Sequence, residues 1–455
     1  MDFIDEIVPV VPIFRKVGDY VWRNVEWPRP VYTSDYVRPQ FRDFVVWVYD
    51  IGASVHPNYY AAALIASLAA VFVYIKIRFP FWNNQPVVHT YDWYRRWMVR
   101  TPYVILQFPL KHKWYDSGKH IQTLDYSRIS GVEKQKIAEF LQSHYLLSDR
   151  LLSTTTAKTL DVYMTGHNAP AFVSAYTEDG GTLTGVATSR LAHMWFRRDP
   201  TSGADPVRSL DVYYMDMCIH REQPASRRIA ETLFQSHEYN QRIRNPAIAV
   251  GLFRKQGALC EGVVPLVEYT THTFYLRPME TQRPLGLDPL PAPFRLVRVA
   301  KENGDLLHDI YQILTKSGVF GGCILPDLGN FRGMLVAKEW YLYCLQKGDH
   351  VYGVYVFRNA QTHYEDIEGD TLELAASIQN SESADLFFRG FVFSLREIRK
   401  ENRQYKMATI STLSHNRVLL AKWREYHHSV VESPCALYLY NYVWTQRTED
   451  WFVVV

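Results

Sequence analysis

Three short stretches hold residue types that could do chemistry together. Near the start, Phe81-Trp82-Asn83-Asn84-Gln85-Pro86-Val87 sets two aromatic faces before a proline-fixed turn. In the middle, Tyr213-Tyr214-Met215-Asp216-Met217-Cys218-Ile219-His220-Arg221 reads as a strand ending in a thiol, an imidazole and a cation. Ala225-Ser226-Arg227-Arg228-Ile229-Ala230 then opens a helix. Backbone N–H groups, the positive dipole end and arginine side chains at such a start suit an anion such as a pyrophosphate. Arg227 and Arg228 are the phosphate candidates. At the end, Leu437-Tyr438-Leu439-Tyr440-Asn441-Tyr442 is followed by thirteen residues closing in Asp450-Trp451-Phe452-Val453-Val454-Val455.

In this order the stretches resemble the N-myristoyltransferase family. Its FWxTQPV segment is matched from Phe81 to Val87, with Asn84 in place of Thr. Its E-[IV]-N-F-L-C-x-H-K strand is matched at Cys218 and His220, with Arg221 for Lys, and its R-S-K-R-V-A helix start at 225–230. Its YYLYNW segment and apolar ending are similar to the last stretch. The resemblance implies an α+β fold of tandem GNAT-like mixed sheets and an acyl-CoA substrate, myristoyl-CoA in that family. Phe81, Trp82, Arg227 and Arg228 would bind the CoA. The backbone N–H groups of Asp216 and Met217 would hold the thioester oxygen as it becomes an oxyanion. The α-carboxylate of Val455 would deprotonate the N-terminal glycine of a peptide. No metal is implied.

Two departures pull the other way. The family's glycine-rich segment before YYLYNW is replaced by Ser429-Val430-Val431-Glu432-Ser433-Pro434. A carboxylate at Asp216 would disfavour negative charge beside it. These departures favour a retired enzyme kept as a structural subunit of a membrane-associated assembly, a virion or an organellar complex. The alternative is an active glycylpeptide N-acyltransferase that moves a long acyl chain from acyl-CoA to an N-terminal glycine.

The elements that must position these residues follow from composition and pattern. Of 455 residues, 47% are hydrophobic and 15% aromatic, ample for a packed core. A net charge of +3 excludes an electrostatic nucleic-acid binder. Five scattered cysteines, without a CxxC pair, exclude a zinc site or a secreted disulfide framework and suit a reducing compartment. His427-His428 lacks the spacing of a helical metal pair, and neither a GxSxG elbow nor a P-loop occurs.

No Asp, Glu, Lys or Arg lies between Ile51 and Ile75, so residues 51–78 read as a membrane-spanning helix. Lys76 and Arg78 then place the large C-terminal part on the cytosolic (or matrix) side. Residues 1–50, aromatic and proline-punctuated, read as an extension that lies against other protein subunits. Two halves follow, 79–290 and 291–455, joined through the proline-rich stretch Arg283–Phe294. Periodicity predicts helices over 133–145, 226–242 and 306–314. It predicts hairpins at 172–189 and 340–358, and strands at 211–219, 247–253, 386–395, 438–442 and 451–455.

Overall fold

Runs of β-branched and aromatic residues recur along the chain, and their two-residue alternation suits half-buried strands. The computed structural model describes residues 57–98, 101–144, 151–197, 208–219, 225–276, 289–300, 303–316, 320–364 and 367–455, the side chains of 57–61, 97 and 151 excepted. The first strands are β1 (Tyr103–Val104), β2 (Ile121–Asp125), β3 (Leu151–Ser153), β4 (Phe172–Thr177), β5 (Leu183–Phe196), β6 (Arg208–Ile219), β7 (Val250–Gln256) and β8 (Val267–Tyr275). After them come β9 (Arg295–Val299), β10 (Gly322–Pro326), β11 (Trp340–Lys347), β12 (His350–Tyr364) and β13 (Asp370–Gln379). The last are β14 (Tyr405–Ser411), β15 (Val431–Tyr440), β16 (Tyr442–Val443) and β17 (Phe452–Val454).

Fifteen of these strands share one mixed sheet, whose main order is β17-β10-β5-β6-β7-β15-β8-β14-β13-β12-β11-β9. The described residues up to 80 and those from 81 on separate as two units. Within the second, strands from both expected halves interleave: β15 lies between β7 and β8, while β10 and β17 extend the sheet beyond β5. The glycine turns are where the sequence puts them. Gly180 and Gly181 (φ 117° and 85°) join β4 to β5, and Gly348 (φ 59°) joins β11 to β12, left-handed conformations that favour glycine.

Three expectations need correction or restriction. Residues 386–395 are not a strand but part of the helix Ala384–Glu401. Its buried residues Phe387, Phe388, Phe391, Val392, Leu395 and Ile398 recur at helical spacing, and Ser383 caps it by accepting from the Leu386 N–H. A dense apolar stripe had hidden that period. Secondly, the helix Pro57–Arg78 forms, with Leu64, Ile65, Leu68, Phe72 and Ile77 exposed, but Lys76 and Arg78 occupy its last turn. Among the described residues, no helix is long and apolar enough to cross a membrane. Thirdly, the extension 1–50 and the first half of the linker 283–294 lie outside the described residues.

The first and last motifs meet directly. The Tyr440 hydroxyl donates to Gln85 Oε1 at 2.7 Å, and the Asn441 N–H donates to the Pro86 carbonyl at 2.7 Å. Asn441 is fully buried with φ 64°, a conformation asparagine tolerates better than most residues. Its side chain accepts from Leu106 N–H and donates to the carbonyls of Leu106 and Ala249. One residue thus ties residues 86, 105–106 and 249 to the end of β15. Replacing Asn441 by Ala should cost about 3 kcal/mol or more, because buried backbone groups lose their partners and a side chain with a Cβ keeps the left-handed strain. Chemical denaturation of the full chain measures it.

Candidate active site

The site begins where two parallel strands part. β6 and β7 pair from Val212↔Val250 to Met215↔Phe253 and no further. β6 continues to Ile219 with β5 on its other edge, while β7 continues to Gln256 with β15 on its other edge. Past Met215 and Phe253, facing main-chain edges are left without each other. A cavity of about 260 Å³ opens there. Asp216, Met217 and Cys218 of β6 line one wall, and Arg254 and Gln256 of β7 another.

The walls are unusually polar for a sheet interior. Arg358 of β12 holds Glu373 of β13 through two parallel bonds, Nε to Oε2 at 2.8 Å and Nη2 to Oε1 at 2.9 Å. Arg254 Nη1 lies 3.7 Å from the same carboxylate, and its Nη2 donates to Gln256 at 2.8 Å. Burial alone would raise the Glu373 carboxyl, but Arg358 and Arg254 beside it hold it below its ordinary range. On β6, Asp216 accepts from the Tyr163 hydroxyl at 2.9 Å. Burial, with Asp216 nearby, pushes Tyr214 up to about 12, so its hydroxyl stays protonated. Burial likewise pushes the Cys218 thiol up to about 12, which removes it as a nucleophile.

Behind the parted strands lies the aromatic stretch. Trp82 stacks on Phe253 at 5.8 Å and 8°, and Phe81 packs edge-on against Trp82, Trp114 and Phe234. Phe81 is buried in a cluster with Met215, Tyr438 and Tyr440. It therefore acts as core, bracing the last paired rung of β6 and β7, rather than as a surface for a ligand.

The chain matches no family model and no curated protein sequence. Its fold does match solved structures. One of Saccharomyces cerevisiae N-myristoyltransferase with bound myristoyl-CoA aligns with a TM-score of 0.61 at 12% identity, over 83% of this chain and 93% of that one. The chain has the N-myristoyltransferase fold. A second myristoyl-CoA complex of the yeast protein gives 0.58 at 12% identity, over 81% and 94%. A third structure, with myristoyl-CoA and inhibitors, gives 0.57 at 13% identity, over 81% and 91%.

Within the N-myristoyltransferase fold, the residues expected from sequence do not all converge. Arg227 and Arg228 are exposed on the first turn of the helix Ser226–Arg244, and Arg227 is bonded to Glu231 at 3.1 Å. His220 and the loop before that helix lie outside the described residues. Asp216 and Met217 stand at the gap, but the β5/β6 ladder runs unbroken through Thr188↔Asp216 and Ala187↔Met217. Successive N–H groups of a regular strand point to opposite edges, so only one of these two amides faces the opening. The next amide on that edge is two residues away, roughly 6.6 Å. The expected two-amide hole is therefore not built by these neighbours.

Val455 is placed by β10. Its N–H donates to the Ile324 carbonyl at 2.9 Å, and the parallel register puts it level with Leu325, hence with His193 on β5 and Asp211 on β6. Asp216 is five residues further along and three strands across. β17 also touches β13, the strand that carries Glu373. Val455 is buried against the apolar cluster of Phe331, Trp340 and Val356. Sequence reasoning missed Tyr163, Arg254, Arg358 and Glu373. The signal was available: Arg254 and Arg358 directly follow apolar strand runs, and Glu373 sits inside one, where ionised side chains need a reason to be.

Glu238 of the helix Ser226–Arg244 lies beneath the same strands, in contact with Gln241 and near the Gly251 backbone. Burial pushes its carboxyl up to about 7, against the opposing pull of Arg242. The unfolded chain gives up this proton near 4.5, the folded chain only near 7. Stability should therefore fall as pH rises between those values and level off above, by on the order of 3 kcal/mol. Denaturant melts from pH 4 to pH 8 should show Glu238→Gln lacking that slope.

Proposed function

We propose that the chain transfers an acyl group from acyl-CoA to an amine, with Asp216 as the group that takes the amine's proton. The observation that carries this reading is the open, charged cavity at the parting of β6 and β7. A scaffold selected only for shape has no need of buried arginines and carboxylates around empty space, because ionised groups there cost more than apolar packing. The yeast proteins of the same fold hold myristoyl-CoA, which makes that thioester the natural donor to test.

In the reaction proposed, an ammonium group near Asp216 loses a proton to its carboxylate. The free amine attacks the thioester carbon, and the C–S bond breaks with the thiolate of CoA leaving. As the C–S bond breaks, the nitrogen's second proton passes to the thiolate and Asp216 releases the first to solvent, so the products are an amide, CoA thiol and one proton. Tyr163 orients Asp216 through its hydroxyl. The gap-facing amide of the Asp216–Met217 pair is a single main-chain donor for the carbonyl oxygen. Phe81 and Trp82 brace the strands, and Arg227 and Arg228 stand at the helix start that would face the CoA pyrophosphate.

A second reading has its own support. The unbroken β5/β6 ladder, with one amide at the gap, and the exposed apolar helix Pro57–Arg78 fit a retired enzyme held in an assembly. On that reading residues 51–78 attach to a membrane, residues 1–50 meet other subunits, and 81–455 lie on the cytosolic or matrix side.

Thermal unfolding with myristoyl-CoA separates the two. At 100 times its Kd the ligand should stabilise the chain by about 2.7 kcal/mol; no shift at any concentration leaves the scaffold. Asp216→Asn should keep that shift while lowering the rate of CoA thiol release at least roughly 100-fold, as expected for loss of a proton acceptor.

A further inference from the structure

The charges that line the cavity are divided between its walls, and the division points to what the acceptor carries. Arg254 and Arg358 share one carboxylate, that of Glu373. A third cation, Arg190 of β5, pairs across the ladder with Tyr214 and so lies on the same sheet face as Thr188, Tyr214 and Asp216, which line the cavity. Arg190 is only 4% exposed, with its guanidinium 4.2 Å from the Tyr163 ring centre and 5.6 Å from that of Tyr214. Its Nε and Nη1 have no hydrogen-bond partner among the described residues. Among the residues that line the cavity, Arg254 and Arg358 thus stand with one carboxylate, and Asp216 stands on the other wall.

Two buried cations that share one carboxylate are only partly matched, and that is costly because desolvation removes hydration that nothing replaces. A bound anion would complete the set. The guanidinium fork suits a planar carboxylate best, since it offers two parallel donors. Hydroxyls of Thr271, Thr273, Thr362 and Ser433 surround the arginine side and can serve the remaining lone pairs. The opposite wall carries Asp216, which attracts a cation. The space, about 260 Å³, lies below the 300–1,000 Å³ usual for drug-sized ligands, so it suits a small molecule better than a peptide segment.

From these juxtapositions we infer that the acyl acceptor is a small amine bearing its own carboxylate, a free amino acid, with its carboxylate on Arg254 and Arg358 and its ammonium toward Asp216. This rests on the acyl-transfer reading above and specifies its acceptor. The product is an N-acyl amino acid. The amine nitrogen bonds to the acyl carbon, CoA leaves as thiol, one proton passes to solvent through Asp216, and the carboxylate is carried through unchanged.

Glycine and glycinamide test this, since they share the amine and differ in the carboxylate. With the full chain and saturating myristoyl-CoA, product is followed by mass spectrometry and thiol release. Glycine should be used with a KM roughly 100-fold below that of glycinamide, the discrimination expected when charged partners are left unpaired. Arg254→Gln should erase most of that preference by raising the KM for glycine, read as the ratio of glycine to glycinamide KM. If that variant does not fold, the wild-type chain still decides. Glycine should protect it against thermal unfolding at concentrations where glycinamide does not. Equal use of the two acceptors, or equal protection, with normal myristoyl-CoA binding overturns the acceptor assignment alone. Failure to bind myristoyl-CoA defeats the transfer reading and the assignment with it.

Discussion

One exchange of hydrogen-bond partners organises this molecule. β7 uses its β6-facing edge only as far as Phe253, while its other edge stays bonded to β15 up to Gln256. β6, bonded to β5 through Ile219, cannot follow it. Two well-held strands therefore diverge, and the sheet acquires an opening without losing either strand. Asp216 and Arg254 stand on the two strands so parted, and Arg358 and Glu373 reach the opening from β12 and β13. The aromatic group of Phe81, Trp82, Phe234 and Phe253 closes the sheet just before the split. Asn441 and Tyr440 pin that group's own segment to the end of β15.

Charge in a low-dielectric interior sets the second constraint. The bidentate pair of Arg358 and Glu373 satisfies itself geometrically, and Arg254 leans on the same carboxylate. Breaking such a group by removing one partner costs about 3–5 kcal/mol, since a bare charge stays behind. Such a group sits where an apolar trio of equal volume would be at least as stable. Its presence beside an opening therefore speaks for recognition of a ligand rather than for folding. Asp216 fits the same logic. A carboxylate there is awkward for holding an oxyanion, as its position in sequence already suggests, yet it suits a group that accepts a proton.

Much of the fold was legible because local signals agreed with tertiary need. Alternating residues before and after Gly180-Gly181 and Gly348-Asp349 give the two hairpins, and the 226–244 helix follows its period. The helix 384–401 was misread because phenylalanines fill nearly a whole face, and a crowded stripe resembles a buried strand. The site was legible only in part. Motif order located the aromatic stretch and β6, since both are local in sequence. The register of Val455 with β10, and the meeting of Arg254 with Glu373, are set by contacts across more than a hundred residues. No short stretch encodes them.

The central claim is that the opening between β6 and β7 receives a thioester. Hydrogen exchange of the full chain, followed by mass spectrometry with and without myristoyl-CoA, reads those strand edges directly. Bound ligand should slow exchange in peptides spanning 214–219 and 253–256, where one facing edge is without a ladder partner. Unchanged exchange in both segments, with protection elsewhere or nowhere, would contradict the account.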